Sequence, residues 1–391
     1  MKKILYLLLM STAVLSGCKK SEPDERVKSK RTIIAYLGGD SGSEMSADAT
    51  SKLNAMLSGM TGIDGKLLIY RDYRTSSGSK AALYSAELRD GRYRAVTVKE
   101  YGSENSASPE VFARSISDAI NYAPAESYGL IAFSHGTGWL PSDQSELNSR
   151  SARAQTLHTG VGRSIIQDGY SSMETADFAA AIPEGTFDFI VLEACLMGDI
   201  ESIYELSPKA DRILASVAEI YEPGFRDVYS THLRHLYLPT PDLESFGKAY
   251  MNLCRNDKDG YTYGTIALYD CAKMQQLVDA VKAPLRARVT SDGYIDDVQR
   301  FGRNQHRKCF LDLQDYISRF ASPQELAAVN EALAEAIPYK ETTESFALVK
   351  DDGFDIDTYC GISIYPEPEE YPSINQAHRT GTRFGRYVWR N

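Results

Sequence analysis

The chain has 391 residues, 43% of them hydrophobic, and a formal net charge of −10. That much apolar material excludes a disordered chain and suffices for one large domain with additions, or for two. The acidic balance supplies no basic footprint for a phosphate backbone, which excludes nucleic acid as a partner.

The chain begins with Met1-Lys2-Lys3, the apolar stretch from Ile4 to Leu15 and the small residues Ser16-Gly17, which together read as an export signal over residues 1–17. Leu15-Ser16-Gly17-Cys18 resembles the bacterial lipobox, which implies lipidation of Cys18 as the first mature residue. Residues 18–30 then form a polar tether to a membrane face. In a Gram-negative cell Lys19 would give no signal for retention at the inner membrane, so the expected location is the outer membrane or the cell surface. A plain secretory signal with an incidental cysteine is the alternative.

Further along, β-branched apolar runs alternate with amphipathic segments, the pattern of an open, mostly parallel sheet of about six or more strands flanked by helices. Strands are predicted at Thr32 to Leu37, Lys66 to Tyr70, Ala95 to Lys99, Tyr128 to Ser134, Phe187 to Glu193 and Arg212 to Ala218. Helices are predicted at Ser46 to Met60, Pro109 to Tyr122, Glu174 to Ile182 and Met197 to Leu206. Residues 31–230 form the expected catalytic core, and residues 231–391 a C-terminal elaboration or small subdomain of helices and strands. Residues 141–169, rich in Ser, Gly and Asp, carry Arg150, Arg153 and Arg163, and a loop of this length is usually functional or disordered.

Two apolar runs end in residues that carry chemistry. Tyr128-Gly-Leu-Ile-Ala-Phe-Ser leads into His135-Gly136-Thr-Gly-Trp139, and Phe187-Asp-Phe-Ile-Val-Leu-Glu193-Ala leads into Cys195-Leu-Met-Gly198. Open α/β sheets bind ligands beyond the carboxyl ends of their strands, so the two residues can meet although far apart in the chain. A thiol before the helix predicted from Met197 would have its thiolate favoured by the helix dipole. His135 would move the proton, and the amides of Gly136 and Cys195 would face a developing oxyanion. Acyl transfer is the reaction class that follows. Read singly, Cys195 would be a buried thiol and His135 a loop hydrogen bonder.

His135-Gly-Thr-Gly-Trp139 and Glu193-Ala-Cys195-Leu-Met197 resemble the His-Gly-x-Gly-Trp and Asp-Ala-Cys-Leu-Met motifs of the clostripain-like cysteine peptidases, relatives of the caspase, legumain and gingipain group. The likeness spans roughly Thr32 to Tyr229 and includes Ile356 to Tyr365 as a late strand. It implies a caspase-like fold and an endopeptidase with Cys195 as nucleophile and His135 as acid/base. It also implies a peptide or protein partner with a basic P1 residue, because the family cleaves after Arg or Lys through an acidic S1 pocket. Glu193 stands in place of the family's Asp and is one methylene longer. Ser216 to Phe225, with Ser216 and Glu219, would form the pocket wall, while Glu222 and Asp227 are weaker candidates. Processing between His and Cys, common in the family, would fall at Arg150 or Arg153; a solvated linker that is never cut is the alternative.

No cofactor is implied. Calcium dependence occurs in the family, but Asp257-Lys-Asp259-Gly260 is only a fragment of a calcium loop, with Arg255 where its first Asp belongs. Cys254, Cys271, Cys309 and Cys360 would be either bridged in one of three pairings or buried as free thiols. The rival function is a catalytically inactive surface lipoprotein that binds peptides or glycans on the same scaffold. A serine hydrolase is disfavoured because no G-x-S-x-G elbow occurs.

Overall fold

The computed structural model describes residues 28–38, 42–75, 78–149, 164–256, 262–288, 296–303, 306, 308–346 and 353–390. Cys18, Arg150, Arg153 and the run 257–260 lie outside them.

Strand β1 (Ser29–Leu37), helix α1 (Ser43–Gly59) and β2 (Lys66–Thr75) make a parallel crossover, and β3 (Gly78–Arg89) and β4 (Arg92–Gly102) follow antiparallel. Helix α2 (Pro109–Tyr122) returns the chain to β5 (Ala125–Phe133) on the other side of β1. After α3 (Ser145–Ser149), the hairpin of β6 (Ile166–Asp168) and β7 (Ser171–Met173) and then α4 (Thr175–Ala180) precede β8 (Phe187–Glu193). Helix α5 (Ile200–Leu206), β9 (Ala210–Ala215), α6 (Arg226–His232), α7 (Leu243–Arg255) and β10 (Thr265–Asp270) come next. Helix α8 (Met274–Ala287), β11 (Leu311–Asp312), α9 (Leu313–Ser318), α10 (Pro323–Ala336) and β12 (Tyr339–Thr342) follow. The described chain closes with β13 (Ser345–Phe346), β14 (Phe354–Asp355), β15 (Ser363–Ile364), α11 (Pro372–Gly381) and α12 (Arg383–Trp389).

Nine strands form one sheet in the order β12-β10-β9-β8-β5-β1-β2-β3-β4. The five central strands are parallel, and two at each edge are antiparallel. This is the expected open, helix-flanked sheet with its parallel part at the centre. Strand periodicity builds two apolar layers: Ile34, Tyr36, Leu130, Ala132, Ile190 and Leu192 meet α2, α5, α8, α10 and α12, while Ile33, Ala35, Leu37, Ile131, Phe133, Phe189 and Val191 meet α1, α6 and α7. Helix α2 starts where Ser108 accepts a hydrogen bond from the Val111 amide and Pro109 takes the first turn, and it buries Phe112, Ile116 and Ala119. Strands β10 and β12 extend the sheet antiparallel from β9, so part of the chain after residue 230 is built into the same sheet.

Candidate active site

The register of the two central strands brings the predicted nucleophile and base together. In the parallel pairing of β5 and β8, Phe133 lies opposite Glu193. His135 and Cys195 each follow two residues later, just past the ends of these neighbouring strands. Both side chains are half-buried. A Cβ built on Gly136 would lie 2.6 Å from the Cys195 carbonyl oxygen, 3.2 Å from its amide nitrogen and 3.0 Å from Ala194 Cβ. The glycine therefore lets the histidine loop press onto the backbone of the cysteine loop.

Past β8 the chain turns with Leu196 at φ 62°. Leu196 and Gly198 donate amide hydrogen bonds to the carbonyls of Ala218 (3.0 Å) and Ser216 (2.8 Å). Cys195 Sγ lies against the next residues of that segment, 3.3 Å from the Ile220 amide nitrogen and 3.6 Å from its carbonyl oxygen. This pairing corrects the helix expected from Met197. Helix α5 begins at Ile200, capped by Asp199 through the Ser202 amide, and has 7 residues. The thiol stands well ahead of its first turn, beyond the reach of a helix dipole.

The histidine loop is held from several sides. The Thr137 amide donates to the Ser164 carbonyl (2.8 Å), Thr175 Oγ1 donates to the Gly138 carbonyl (3.0 Å), and Gln144 Nε2 donates to Thr137 Oγ1 (3.1 Å). His306 Nε2 lies 3.0 Å from Gln144 Oε1. Trp139 is buried with its ring 4.9 Å from both Tyr365 and His378.

Of the three residues expected to recognise a substrate side chain, two lie beneath the surface. Glu193 continues the face of Phe189 and Val191, toward α1. Its carboxylate meets Lys52 Nζ at 2.9 Å and accepts from the Phe225 amide (2.7 Å) and the Tyr229 hydroxyl (2.6 Å), with both charged side chains essentially unexposed. Lys52 also donates to Glu222 (2.9 Å) and the Pro223 carbonyl (3.1 Å). Burial alone lowers the Lys52 ammonium, but the charges and hydrogen bonds of Glu193 and Glu222 outweigh it and raise it above its ordinary value. Glu193 is thus the buried counter-ion of Lys52. Ser216 is also buried, its hydroxyl 2.7 Å from Thr265 Oγ1 and 3.2 Å from the Ala218 amide, so it braces the pocket wall from behind. Glu219 alone of the three reaches the edge beside Cys195, where Arg303 Nη2 lies 3.2 Å from its Oε2 and the Tyr221 hydroxyl donates to it.

Lys52, Gln144, Arg303 and His306 were not expected here, because no local pattern marks residues that arrive from distant segments. The described cysteines form no disulfide. Cys254, Cys271, Cys309 and Cys360 are buried, and burial pushes the Cys271 thiol up to about 12 and those of Cys309 and Cys360 up as well. Cys195 is the more accessible thiol among the described residues. No three His, Cys, Asp or Glu side chains among the described residues are grouped to hold a metal ion. No described helix is long and apolar enough to cross a membrane.

Comparison with known proteins bears on the family and the fold. The sequence model of the clostripain family matches residues 35–341. Among solved structures, an inactive zymogen C11 protease from Parabacteroides distasonis is similar at 26% identity and a TM-score of 0.79, covering 93% of this chain and 99% of that one. A secreted C11 cysteine protease from Bacteroides thetaiotaomicron has 20% identity and a TM-score of 0.78, covering 93% of this chain and 100% of that one. A secreted C11 cysteine protease from the same organism, in complex with an irreversible peptide inhibitor, shows the same fold at 22% identity and a TM-score of 0.74, covering 91% and 97% of the two chains. No curated protein matches the chain at a significant level.

Proposed function

The chain belongs to the clostripain family of cysteine peptidases, and from that premise we propose that it is an endopeptidase cleaving after Arg or Lys, with Cys195 as nucleophile and His135 as acid/base. The observation that carries this reading is the equal placement of the two residues past the Phe133–Glu193 rung, with Gly136 against the Cys195 backbone.

The Cys195 sulfur adds to the scissile carbonyl carbon as its proton passes to His135, and the carbonyl electron pair moves onto oxygen, facing the Gly136 and Cys195 amides. Collapse breaks the carbon–nitrogen bond, and His135 gives the proton to the departing amine. Water then adds to the thioester and frees the acid and the thiol. Glu219 receives the basic P1 side chain, supported by its position one residue from the backbone that brackets Cys195 Sγ. Export and anchoring through a lipidated Cys18, and self-processing at Arg150 or Arg153, complete the reading on sequence grounds.

The test compares wild type and Cys195→Ala on fluorogenic peptides ending in Arg, Lys, Asp and Asn. Wild-type turnover of the Arg and Lys peptides, lost on the order of 10^4-fold or more in the variant, is the expected result. Preferred cleavage after Asp or Asn overturns the specificity, and turnover that survives in Cys195→Ala overturns the chemistry.

A further inference from the structure

We infer that Arg303 is a specificity-determining residue: it fills the acidic subsite beside Cys195 with a basic side chain of the protein's own, which a substrate's Arg or Lys must displace. The inference rests on the reading of Glu219 as the carboxylate that receives that side chain.

Arg303 Nη2 lies 3.2 Å from Glu219 Oε2, with the two side chains 10% and 22% exposed. The guanidinium carbon is 5.5 Å from the ring centre of Tyr221 and 5.7 Å from that of Phe346, within the range of cation–π attraction. Tyr221 donates its hydroxyl to the same Glu219 oxygen. Between Glu219 and Tyr221, Ile220 brackets Cys195 Sγ through its amide and carbonyl. One carboxylate and two aromatic rings therefore already hold a guanidinium next to the thiol.

The chain that carries Arg303 is anchored on the other side of the site. Residues 299–301 run antiparallel to 310–312, through the Phe301 amide to the Phe310 carbonyl and the Asp312 amide to the Gln299 carbonyl, each at 2.8 Å. The His306 amide donates to the Arg303 carbonyl (2.8 Å), and the His306 ring reaches Gln144 and through it Thr137, two residues after His135. Arg303 is thus presented to Glu219 by a segment fastened to the histidine loop.

The two internal cations near the site differ in how they are satisfied. The Lys52 ammonium meets Glu193, Glu222 and the Pro223 carbonyl. Among the described residues, Arg303 has one ion pair, to Glu219, beside its two aromatic contacts, and its buried Nε and Nη1 have no hydrogen-bond partner there. Buried donors without acceptors weaken a placement, so the Arg303 guanidinium is the more easily displaced of the two. A role as receptor for an acidic substrate side chain is less favoured, because Glu219 would repel the incoming carboxylate from within the same pair.

The test uses full-length Arg303→Ala and Arg303→Gln with peptides that differ only in carrying Arg, Gln or Asp at the cleavage position. The KM for the Arg peptide is expected to fall about tenfold or more with kcat changing less than about threefold, while the Gln peptide keeps its KM. An unchanged or raised KM for the Arg peptide, or loss of an existing cleavage after Asp, overturns the inference. A crystal structure of the wild-type chain bound to an irreversible inhibitor ending in Arg gives a readout that needs no variant: the inhibitor's guanidinium should lie on Glu219 with Arg303 moved off, and Arg303 still paired with Glu219 overturns the inference. Loss of cleavage in Cys195→Ala establishes the peptidase reading separately, so an unmoved KM in the Arg303 variants counts against this inference alone.

Discussion

Replacing a hydrogen of Gly136 with a methyl group would put carbon 2.6 Å from the Cys195 carbonyl oxygen. Backbone rather than a flexible side chain stands in the way, so the histidine and cysteine loops must separate. Gly136→Ala is therefore expected to lower kcat/KM about a hundredfold, the typical cost of a small misplacement of reacting groups, and near-wild-type kinetics would show that the close approach does not matter. Lys52 is constrained by charge. Lys52→Met leaves Glu193 buried without its counter-ion and is expected to cost about 3–5 kcal/mol in urea unfolding. Adding Glu193→Leu should recover part of that loss, because the lone buried carboxylate disappears with it. An equally unstable double variant would place the cost in lost packing.

Whether an element could be read from the sequence depended on whether its signals were local. Helix α2 has its Ser108 cap, its Pro109 and its apolar face within one short run, and β8 is a bounded apolar run; both fall at their expected bounds. Strand β3 was not expected, because Ala81, Ala82 and Ala86 have low strand propensity and lie on both faces of the sheet. Helix α5 starts late because Leu196 to Gly198 pair with a segment that the sequence places some twenty residues away. His135 and Cys195 were legible for the same reason as β8: each closes a bounded apolar run, two residues past the strand that the run forms. The partners Lys52 of Glu193 and Arg303 of Glu219 were not, since only folding joins them.

Helix α11 also carries a titrating link to α5. His378 Nδ1 lies 2.7 Å from Glu367 and its Nε2 lies 3.1 Å from Glu201, while Arg288 and Arg379 also pair with Glu367. Burial alone lowers the His378 imidazole, but the hydrogen bonds and charges of Glu201 and Glu367 outweigh it and raise it above its ordinary value. Burial raises Glu367, and its bonds to His378 and Arg379 more than reverse this, to about 2. A raised histidine stabilises fully below its unfolded value of about 6.5 and loses that contribution as pH rises through the folded value. The lowered glutamate stabilises above its ordinary range and loses its contribution only as pH falls toward about 2. The melting temperature should therefore decline as pH rises above neutrality, and His378→Gln should flatten that slope; identical slopes would contradict the assignment.

For the molecule as a whole, the site is finished by chain that follows residue 230. Strand β10 covers the edge of β9, Thr265 holds Ser216, the Ser363 amide donates to the Gly198 carbonyl (3.0 Å), and Tyr269 donates to the Gly361 carbonyl (2.7 Å). A fragment of residues 31–230 would expose an apolar strand edge and leave the cysteine loop without its braces. It is expected to be insoluble or inactive, and a soluble fragment with full activity would contradict this. The central claim is that His135 and Cys195 work as a pair. A peptidyl chloromethyl ketone ending in Arg, incubated with wild type and with His135→Ala and followed by peptide mass spectrometry, tests it most directly. The wild type should be labelled at Cys195 and the variant far more slowly at the same residue; labelling at another cysteine, or an unchanged rate in His135→Ala, would contradict the pairing.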